Sequence, residues 1–229
     1  SMNYLYVSHP VFASLYNKIC GLTGTIGNKS DRLIYKEQYK LETMKIPRNK
    51  PNLTVKMPTI ICKSFSERDK KIVSEVISFH KRNYPVLVIF QDLKEISKVE
   101  KLLISNGIQH INIFDGKNEI VGPEKIAGIK DAVSLGTNVC GRGTDIIASK
   151  YPLHIIVTYY SSNVRVMKQA FGRTARHGRK GTFRVICHKD QFLLKDESSK
   201  EKMTNVINFF NIKNKMQNEF VNHYQKMNP

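Results

Sequence analysis

"PVLVIF", residues 85–90, is the stretch that decides the fold class, because every residue in it is apolar. A run of this length that is apolar on both faces is typical of a strand buried within a parallel sheet. Similar short runs alternate with amphipathic helices along the chain. The predicted strands are 59–62, 85–90, 110–114, 132–138, 153–158 and 181–187, and the predicted helices are 66–83, 92–107 and 163–171. This alternation predicts an α/β fold with a doubly wound sheet.

Local signals bound several of these elements. Ser66 is predicted to cap the first of the helices, with Asp69 completing a capping box, and Gly107 is predicted to end the second. Residues 9–19 carry apolar side chains at helical spacing, which predicts a further helix near the start. Residues 41–58 contain three prolines, which favours an extended connector.

The composition is that of a globular chain. Its 229 residues are enough for one large domain or two small ones, and 41% are hydrophobic and 24% charged. No apolar run is long enough to cross a bilayer, and the four cysteines form no C-x-x-C pair, which predicts reduced thiols of a cytosolic protein and no structural zinc. The opening Ser-Met resembles a remnant of tag removal, so we expect an excised piece of a longer protein.

The net charge is the unusual feature of the composition. Lysine and arginine number 37 and the acidic residues 19, which gives +18. A field of that size attracts nucleic acid, an anionic membrane or an acidic partner. A lysine-rich solvated surface explains the same number, because the lysines are spread along the chain.

Two segments carry groups suited to binding phosphate. The first is "GTNVCGRGTDI", residues 136–146, in which close glycines let the backbone approach a ligand, with Arg142 and Asp145 on the turn. The second is "QAFGRTARHGRKG", residues 169–181. Both are expected at the carboxyl edge of the sheet, where ligands of doubly wound folds bind.

The second segment is rich in arginine. Arg173 and Arg176 are three residues apart, so on a helical turn both guanidinium groups would project to one side. Planar, permanently charged groups of this kind neutralise the charge that develops on a transferring phosphoryl group. A solvated basic loop or a nucleic-acid contact remains open as an alternative.

Together the two segments resemble motifs V and VI of superfamily 2 helicase-type motors, and most closely those of the SecA protein-translocase ATPases. DEAD-box RNA helicases usually carry leucine at the place of Thr144 and an acidic residue at the place of Asn138. "PVLVIFQDLKEISKVEKLL" resembles motif IV, and "YKLETMKIPRNKP" (39–51) resembles the segment that joins the two SecA motor lobes. The resemblance covers roughly residues 9–190.

The same family accounts for "GLTGTIGNKS", residues 21–30. Gly21 and Gly27 are one residue too far apart for a P-loop, and Asn28 separates the second glycine from the lysine. "NKICGLTGTIG" instead resembles SecA motif III, a coupling motif that would include Thr23, Gly24 and Thr25.

The resemblance implies a RecA-like (P-loop NTPase-type) parallel sheet with helices on both faces, the C-terminal lobe of a helicase-type motor, and a helical C-terminal extension. The expected divisions are the end of the first motor lobe, an inter-lobe linker, the second lobe and the extension: 1–40, 41–58, 59–195 and 196–229.

The family also implies site residues. Its ATP or ADP, with Mg²⁺, lies between two lobes, and the first lobe supplies the P-loop lysine and the magnesium ligands. The second lobe would supply Arg173 and Arg176 as arginine fingers. Its other nucleotide-binding residues would be Gly141, Arg142, Gly143, Asp145 and Gln169, with no metal ligand. Because this sequence contains no P-loop or acidic magnesium motif, we expect the isolated chain to be inactive.

The partners that the resemblance implies are the first motor lobe, a polypeptide substrate and a membrane channel or anionic membrane surface, at a cytoplasmic or peripheral membrane location. Phe171, Met167 and His177 depart from the SecA pattern, and the His177–Arg179 segment looks more like an RNA-helicase motif VI. A nucleic-acid motor therefore stays open as an alternative, as does a non-catalytic binding module with the same fold.

Overall fold

The computed structural model describes residues 9–114, 127–137, 146, 151–161 and 164–192. The chain divides into two compact units, one of residues 1–48 with 207–229 and the other of residues 49–206. Among the described residues, no helix has both the length and the apolar character needed to cross a membrane. The predicted C-terminal extension, residues 196–229, lies outside the described residues.

The second unit is built on a sheet of seven parallel strands. The order is β1-β7-β6-β3-β5-β4, and β2 also pairs with β7. The strands are β1 Leu53–Lys56, β2 Ile60–Cys62, β3 Val86–Phe90, β4 Ile111–Phe114, β5 Val133–Thr137, β6 Leu153–Val157 and β7 Lys180–His188. This arrangement confirms the predicted parallel α/β sheet.

Strand β3 lies in the middle of the sheet, as its sequence predicts. All five of its residues are fully buried, and its neighbours are β5 and β6. Burying a strand on both faces requires a helical layer on each side, which is why no polar residue interrupts this run.

Helices cover both faces of the sheet. In the second unit these helices are α3 Phe65–His80, α4 Leu93–Ser105 and α5 Val164–Phe171, while α1 His9–Ser14 and α2 Lys29–Tyr39 belong to the first unit. Phe79 of α3 stacks on His154 with 3.7 Å between ring centroids, whereas Phe171 of α5 stacks on Phe183 at 4.0 Å. His154 is in register with Thr182, the residue before Phe183, and successive strand residues point to opposite faces. Helices α3 and α5 therefore pack on opposite sides.

The cap predicted for α3 is wrong by two residues. Ser64 is the N-cap, and its hydroxyl accepts from the backbone N–H of Glu67 at 3.1 Å. The Glu67 carboxylate in turn accepts from the backbone N–H of Lys63 at 2.9 Å. Asp69 cannot serve as the capping acid because its side chain is buried against Arg68.

The start of α4 shows a cap of the same kind, and its end was predicted correctly. Asp92 is the N-cap and accepts from the backbone N–H of Lys94 at 3.1 Å. Gly107 adopts φ +90°, a left-handed conformation that glycine takes without steric cost, and its N–H donates to the carbonyl of Ile104.

Two other predictions differ from the structure. The helix predicted over residues 9–19 is α1 and ends at Ser14, and the connector predicted over residues 41–58 contains β1. Helix α2 was not predicted. It begins with a reciprocal capping box, in which Asn28 accepts from the N–H of Asp31 and Asp31 accepts from the N–H of Asn28.

The first turns of α3 and α4 are joined by four charged residues, which we call the Arg68 cluster: the buried Arg68 and Asp69, the half-buried Glu95 and the exposed Lys98. Arg68 Nη2 lies 2.8 Å from Asp69 Oδ1, and Arg68 Nη1 lies 2.5 Å from Glu95 Oε2. Lys98 Nζ reaches the other Asp69 oxygen at 2.9 Å. Since α3 follows β2 and α4 follows β3, this cluster lies at the carboxyl edge of the sheet.

A second buried polar group ties α3 to strands β6 and β7. His154 is fully buried; its Nδ1 lies 2.7 Å from Thr182 Oγ1 and its Nε2 lies 2.9 Å from Glu75 Oε1. The same Glu75 oxygen forms an ion pair with Arg184, whose Nε lies 3.0 Å away. Burial lowers the pKa of His154 below its usual value of 6.5, and the hydrogen bond and charge of Glu75 offset part of that effect.

Candidate functional site

The segment that carries Arg173 and Arg176 is a tight loop between α5 and β7, here called the arginine loop and defined as residues 172–180. Helix α5 ends at Phe171, and the next backbone N–H groups still donate to helix carbonyls, Gly172 to Lys168 and Arg173 to Ala170. The chain then passes through a short 3₁₀ turn, Arg176–Gly178, before β7 begins.

Two residues of the arginine loop hold left-handed backbone conformations. Ala175 has φ 53° and ψ 37°, and His177 has φ 57° and ψ 28°. A non-glycine residue in this region costs roughly 1–2 kcal/mol. The loop conformation is therefore imposed by contacts with the rest of the protein rather than favoured by the local sequence.

The arginine loop lies at the amino edge of the sheet, so its predicted place at the carboxyl edge is wrong. The Thr174 hydroxyl donates to the backbone carbonyl of Leu153, the first residue of β6, at 2.6 Å. Leu153 is in register with Gly181, near the start of β7. The misplacement arose because the segment follows a helix and precedes a strand, whereas the prediction took it to follow a strand.

The prediction that Arg173 and Arg176 share a helical turn is also wrong, although the structure does bring the two side chains together. Both line one small pocket, even though Arg173 follows α5 and Arg176 starts the 3₁₀ turn. Arg173 is buried, with 6% of its surface exposed, and Arg176 is half-buried with its Nε donating to the carbonyl of Gly172 at 2.9 Å.

The described lining of this pocket is strongly basic. It comprises Ile146, Arg173, Thr174, Ala175, Arg176, His177, Arg179 and Lys180. Each ionisable residue in that lining is basic, and such a surface suits an anion with several charges, as a polyphosphate has.

The positive charge also acts on a buried tyrosine nearby. Tyr159 has 5% of its surface exposed, and burial raises the pKa of its hydroxyl. The charge of Arg173 lowers the same pKa and offsets part of the burial effect. Arg173 therefore acts electrostatically on a hydroxyl that burial keeps protonated.

The structure describes the glycine-rich segment at its first two residues, which end β5, and at its last residue. Ile146 is buried and lines the pocket with the two arginines. Gly141, Arg142, Gly143 and Asp145 lie outside the described residues. Gln169 is exposed on α5, one turn before the arginine loop.

The predicted coupling residues Thr23, Gly24 and Thr25 belong to the first unit. The N–H of Thr25 lies 3.3 Å from the hydroxyl of Thr23, and Gly24 is exposed. Gly27 adopts φ +99° just before the capping box of α2, and a Cβ at this position would collide with the Asp31 side chain. The glycine therefore leaves the space that the capping box of α2 needs.

Sequence reasoning missed three residues that shape the arginine loop. Thr174 anchors it, Gly181 leaves space for Thr174, and Lys50 packs against Gly178, where an added Cβ would lie 2.9 Å from the lysine Cδ. The two glycines, at each end of the basic run, are the only sequence signal that could have indicated a close approach.

Known proteins resemble this chain in sequence and in fold. The model of the SecA P-loop domain matches residues 54–152. The protein translocase subunit SecA of Halothermothrix orenii is 30% identical over 202 residues, which is 85% of this chain and 24% of the relative. SecA of Endomicrobium trichonymphae is 30% identical over 226 residues, 93% of this chain and 26% of the relative. The chain thus spans about a quarter of the length of these relatives.

A solved structure supports the fold. Dbp5 of S. cerevisiae bound to RNA and ADP BeF3 is similar over 72% of this chain and 44% of its own, with a TM-score of 0.51 and 17% sequence identity. At that identity the likeness concerns the fold alone. The matched family model and the relatives show a SecA-like chain, and the sheet-bearing unit resembles the RecA-like C-terminal lobe of helicase-type motors.

Proposed function

We propose that the sheet-bearing unit is the second motor lobe of a SecA-like ATPase, which couples ATP binding and hydrolysis to the movement of a polypeptide. The observation that carries the proposal is the arginine loop, because it brings two arginines to one basic pocket in a chain with SecA relatives. The proposed boundaries of the lobe remain residues 59–195, after a linker at 41–58.

The proposed roles follow from the family resemblance and from the charge of each group. Arg173 and Arg176 act as arginine fingers that stabilise the negative charge of the transferring phosphoryl group. Asp145 and Arg142 contact the nucleotide together with Gly141, Gly143 and Gln169. Thr23, Gly24 and Thr25 couple the nucleotide state to the first lobe.

The proposed cofactor is ATP or ADP with Mg²⁺. The basic lining of the pocket fits the phosphate groups. As the family resemblance implies, the proposal assigns the magnesium ligands and the P-loop to the first lobe. Bound magnesium would neutralise phosphate charge, while the arginine loop supplies charge from the opposite side.

The proposed partners follow from the same family. They are the first motor lobe, a polypeptide substrate, and a membrane channel or anionic lipid surface at a cytoplasmic or peripheral membrane site. The isolated chain of 229 residues is expected to bind ATP weakly and to hydrolyse none, because the P-loop lysine comes from the other lobe.

The first test separates catalysis from nucleotide binding in the full-length protein. Arg176→Lys keeps one positive charge but loses the planar group that makes two parallel hydrogen bonds. We expect turnover to fall by roughly 10³–10⁵ with near-normal ATP affinity, because the arginine acts in the transition state. Asp145→Ala is expected to weaken nucleotide binding itself. If both substitutions only raised KM, the arginine loop would be a basic docking loop and the proposed roles would be wrong.

A nucleic-acid motor is the second candidate function. The net charge of +18 and the His177–Arg179 segment favour it. Affinity for RNA should then fall linearly with salt on a log–log plot and remain measurable at physiological salt. A weak affinity that disappears at physiological salt, together with tighter binding of unfolded polypeptide, would favour the polypeptide motor.

A further inference from the structure

Thr174 stands between the two arginines of the loop, and its side chain is buried in the protein. It has 4% of its surface exposed, and its hydroxyl donates to the carbonyl of Leu153 at 2.6 Å. Leu153 is itself fully buried at the start of β6. A short hydrogen bond from a buried hydroxyl therefore fixes the middle of the arginine loop to the sheet.

Gly181 provides the space that Thr174 occupies. It is the second residue of β7, in register with Leu153. A Cβ at residue 181 would overlap the Thr174 hydroxyl and would lie 2.6 Å from the backbone nitrogen of Ala175. Since backbone cannot move aside as a flexible side chain can, only glycine lets the loop lie this close to the strand.

The Leu153 carbonyl is held in place because the next residues of β6 and β7 are hydrogen-bonded to each other and to α3. His154 follows Leu153, Thr182 follows Gly181, and the two side chains are 2.7 Å apart at Nδ1 and Oγ1. The other ring nitrogen of His154 is 2.9 Å from Glu75 of α3. The hydrogen bond from Thr174 to Leu153 thus holds the arginine loop at a fixed place relative to the sheet.

We propose that Thr174 is a positioning residue that holds the guanidinium groups of Arg173 and Arg176 in place for phosphoryl transfer. Gly181 leaves the space that the Thr174 side chain occupies. The inference rests on the proposed function. Ala175 and His177 hold backbone conformations that the local sequence does not favour, so the loop needs an external contact to keep its shape. The Thr174–Leu153 hydrogen bond lies immediately between Arg173 and the first of these residues.

The test uses Thr174→Val in the full-length ATPase, because valine keeps the shape and removes the donor. We expect kcat to fall on the order of 10²-fold, as a displacement of about 1 Å can cause, with KM for ATP near its normal value. Thr174→Ser, which keeps the hydroxyl, should restore most of the turnover.

Thr158→Val is the matched control. Thr158 is also fully buried at the end of a strand, but its hydroxyl has no hydrogen-bond partner among the described residues. Its replacement removes an equal hydroxyl without breaking a bond, so turnover and thermal stability should stay unchanged.

A double substitution separates positioning from general stability. If Thr174 acts through the arginines, Thr174→Val should add little to the loss already caused by Arg173→Ala and Arg176→Ala together. A merely structural role would multiply the two losses. Should Thr174→Val fail to fold, Gly181→Ala displaces the same hydroxyl from β7 and is expected to lower kcat in the same way.

The outcomes distinguish this inference from the proposed function. If Arg173→Ala and Arg176→Ala both leave turnover unchanged, the proposed function is wrong and the positioning role falls with it. If these variants lose turnover while Thr174→Val behaves like Thr158→Val, or if the two losses multiply, only the positioning role is overturned.

Discussion

The Arg68 cluster and the arginine loop use the same side chain for opposite purposes at opposite edges of the sheet. The Arg68 side chain is 3% exposed, and two carboxylates lie within hydrogen-bonding distance of its guanidinium group. The described ionisable residues that line a pocket with Arg173 and Arg176 are basic. Arg68 and its carboxylates join two helices, whereas the basic pocket lining suits the anionic ligand proposed above. Burial does not distinguish the two places, since Arg173 is also buried.

The largest effect expected from this comparison concerns Arg68. Arg68→Met should lower the free energy of unfolding toward the lower end of the roughly 3–5 kcal/mol that a broken buried pair costs. The lower end applies because Asp69 keeps its contact with Lys98 and because the Glu95 side chain is 23% exposed. Chemical denaturation measures the loss. Nucleotide binding by the folded protein should stay unchanged.

Lys98→Met is the control for that measurement. The Lys98 side chain is 59% exposed, so its ion pair with Asp69 should contribute less than about 1 kcal/mol. Equal losses for the two variants would show that burial of Arg68 does not decide its contribution, and the contrast drawn here would not hold.

A pH titration of stability should show a smaller effect, centred on His154. Its folded-state pKa is lowered, so below about pH 6.5 the unfolded chain takes up a proton that the folded protein resists. The stabilising contribution is complete above pH 6.5 and is lost as the pH falls from there through the lower folded-state pKa. The slope should reach at most about 1.4 kcal/mol per pH unit for this one group.

Two variants test the assignment of that slope. His154→Gln should be less stable at neutral pH but should lack the slope below pH 6.5. His110→Gln, at an exposed histidine, should keep it. A slope that survives in His154→Gln would mean that another group causes the loss of stability at low pH.

The smallest effect is expected at Ala175, within the arginine loop itself. Ala175→Gly should change the free energy of unfolding by less than about 1 kcal/mol, because relief of the left-handed conformation offsets a more flexible unfolded chain and a lost buried methyl group. Ala175→Val should cost on the order of 1–2 kcal/mol, since a β-branched residue is poorly tolerated at φ 53°. Equal stability of the two variants, measured by denaturation, would mean that the loop does not need this conformation.

Elements whose pattern comes from burial were predictable from the sequence. Strand β3 is one, because a fully apolar run has few alternatives, and the end of α4 at Gly107 is another. Helix α2 was missed because its capping box directly follows a glycine-rich segment that is similar to a phosphate-binding loop. Strand β1 was missed because Leu53 and Val55 are exposed at an edge, where alternation carries no burial signal.

The candidate site was predictable by residue type but not by position. Arginine spacing and family resemblance selected Arg173 and Arg176, and both line the basic pocket. Their place at the amino edge depends on a hydroxyl of residue 174 meeting a carbonyl of residue 153, a contact between distant parts of the chain. Local periodicity does not encode such contacts, so the role of Thr174 could be found only in three dimensions.

Strand β7 comes last among the described strands, yet it lies inside the sheet, where β1, β2 and β6 all pair with it. During synthesis, at roughly 5–20 residues per second, the strands up to β6 leave the ribosome before β7 does. Until then, β1 and β2 lack their neighbour in the sheet and Thr174 lacks Gly181 beside it. The pairing of β7 with its neighbours therefore completes the sheet and also fixes the position of the arginine loop. A nascent chain that stops short of β7 would carry the arginines without the geometry needed to use them.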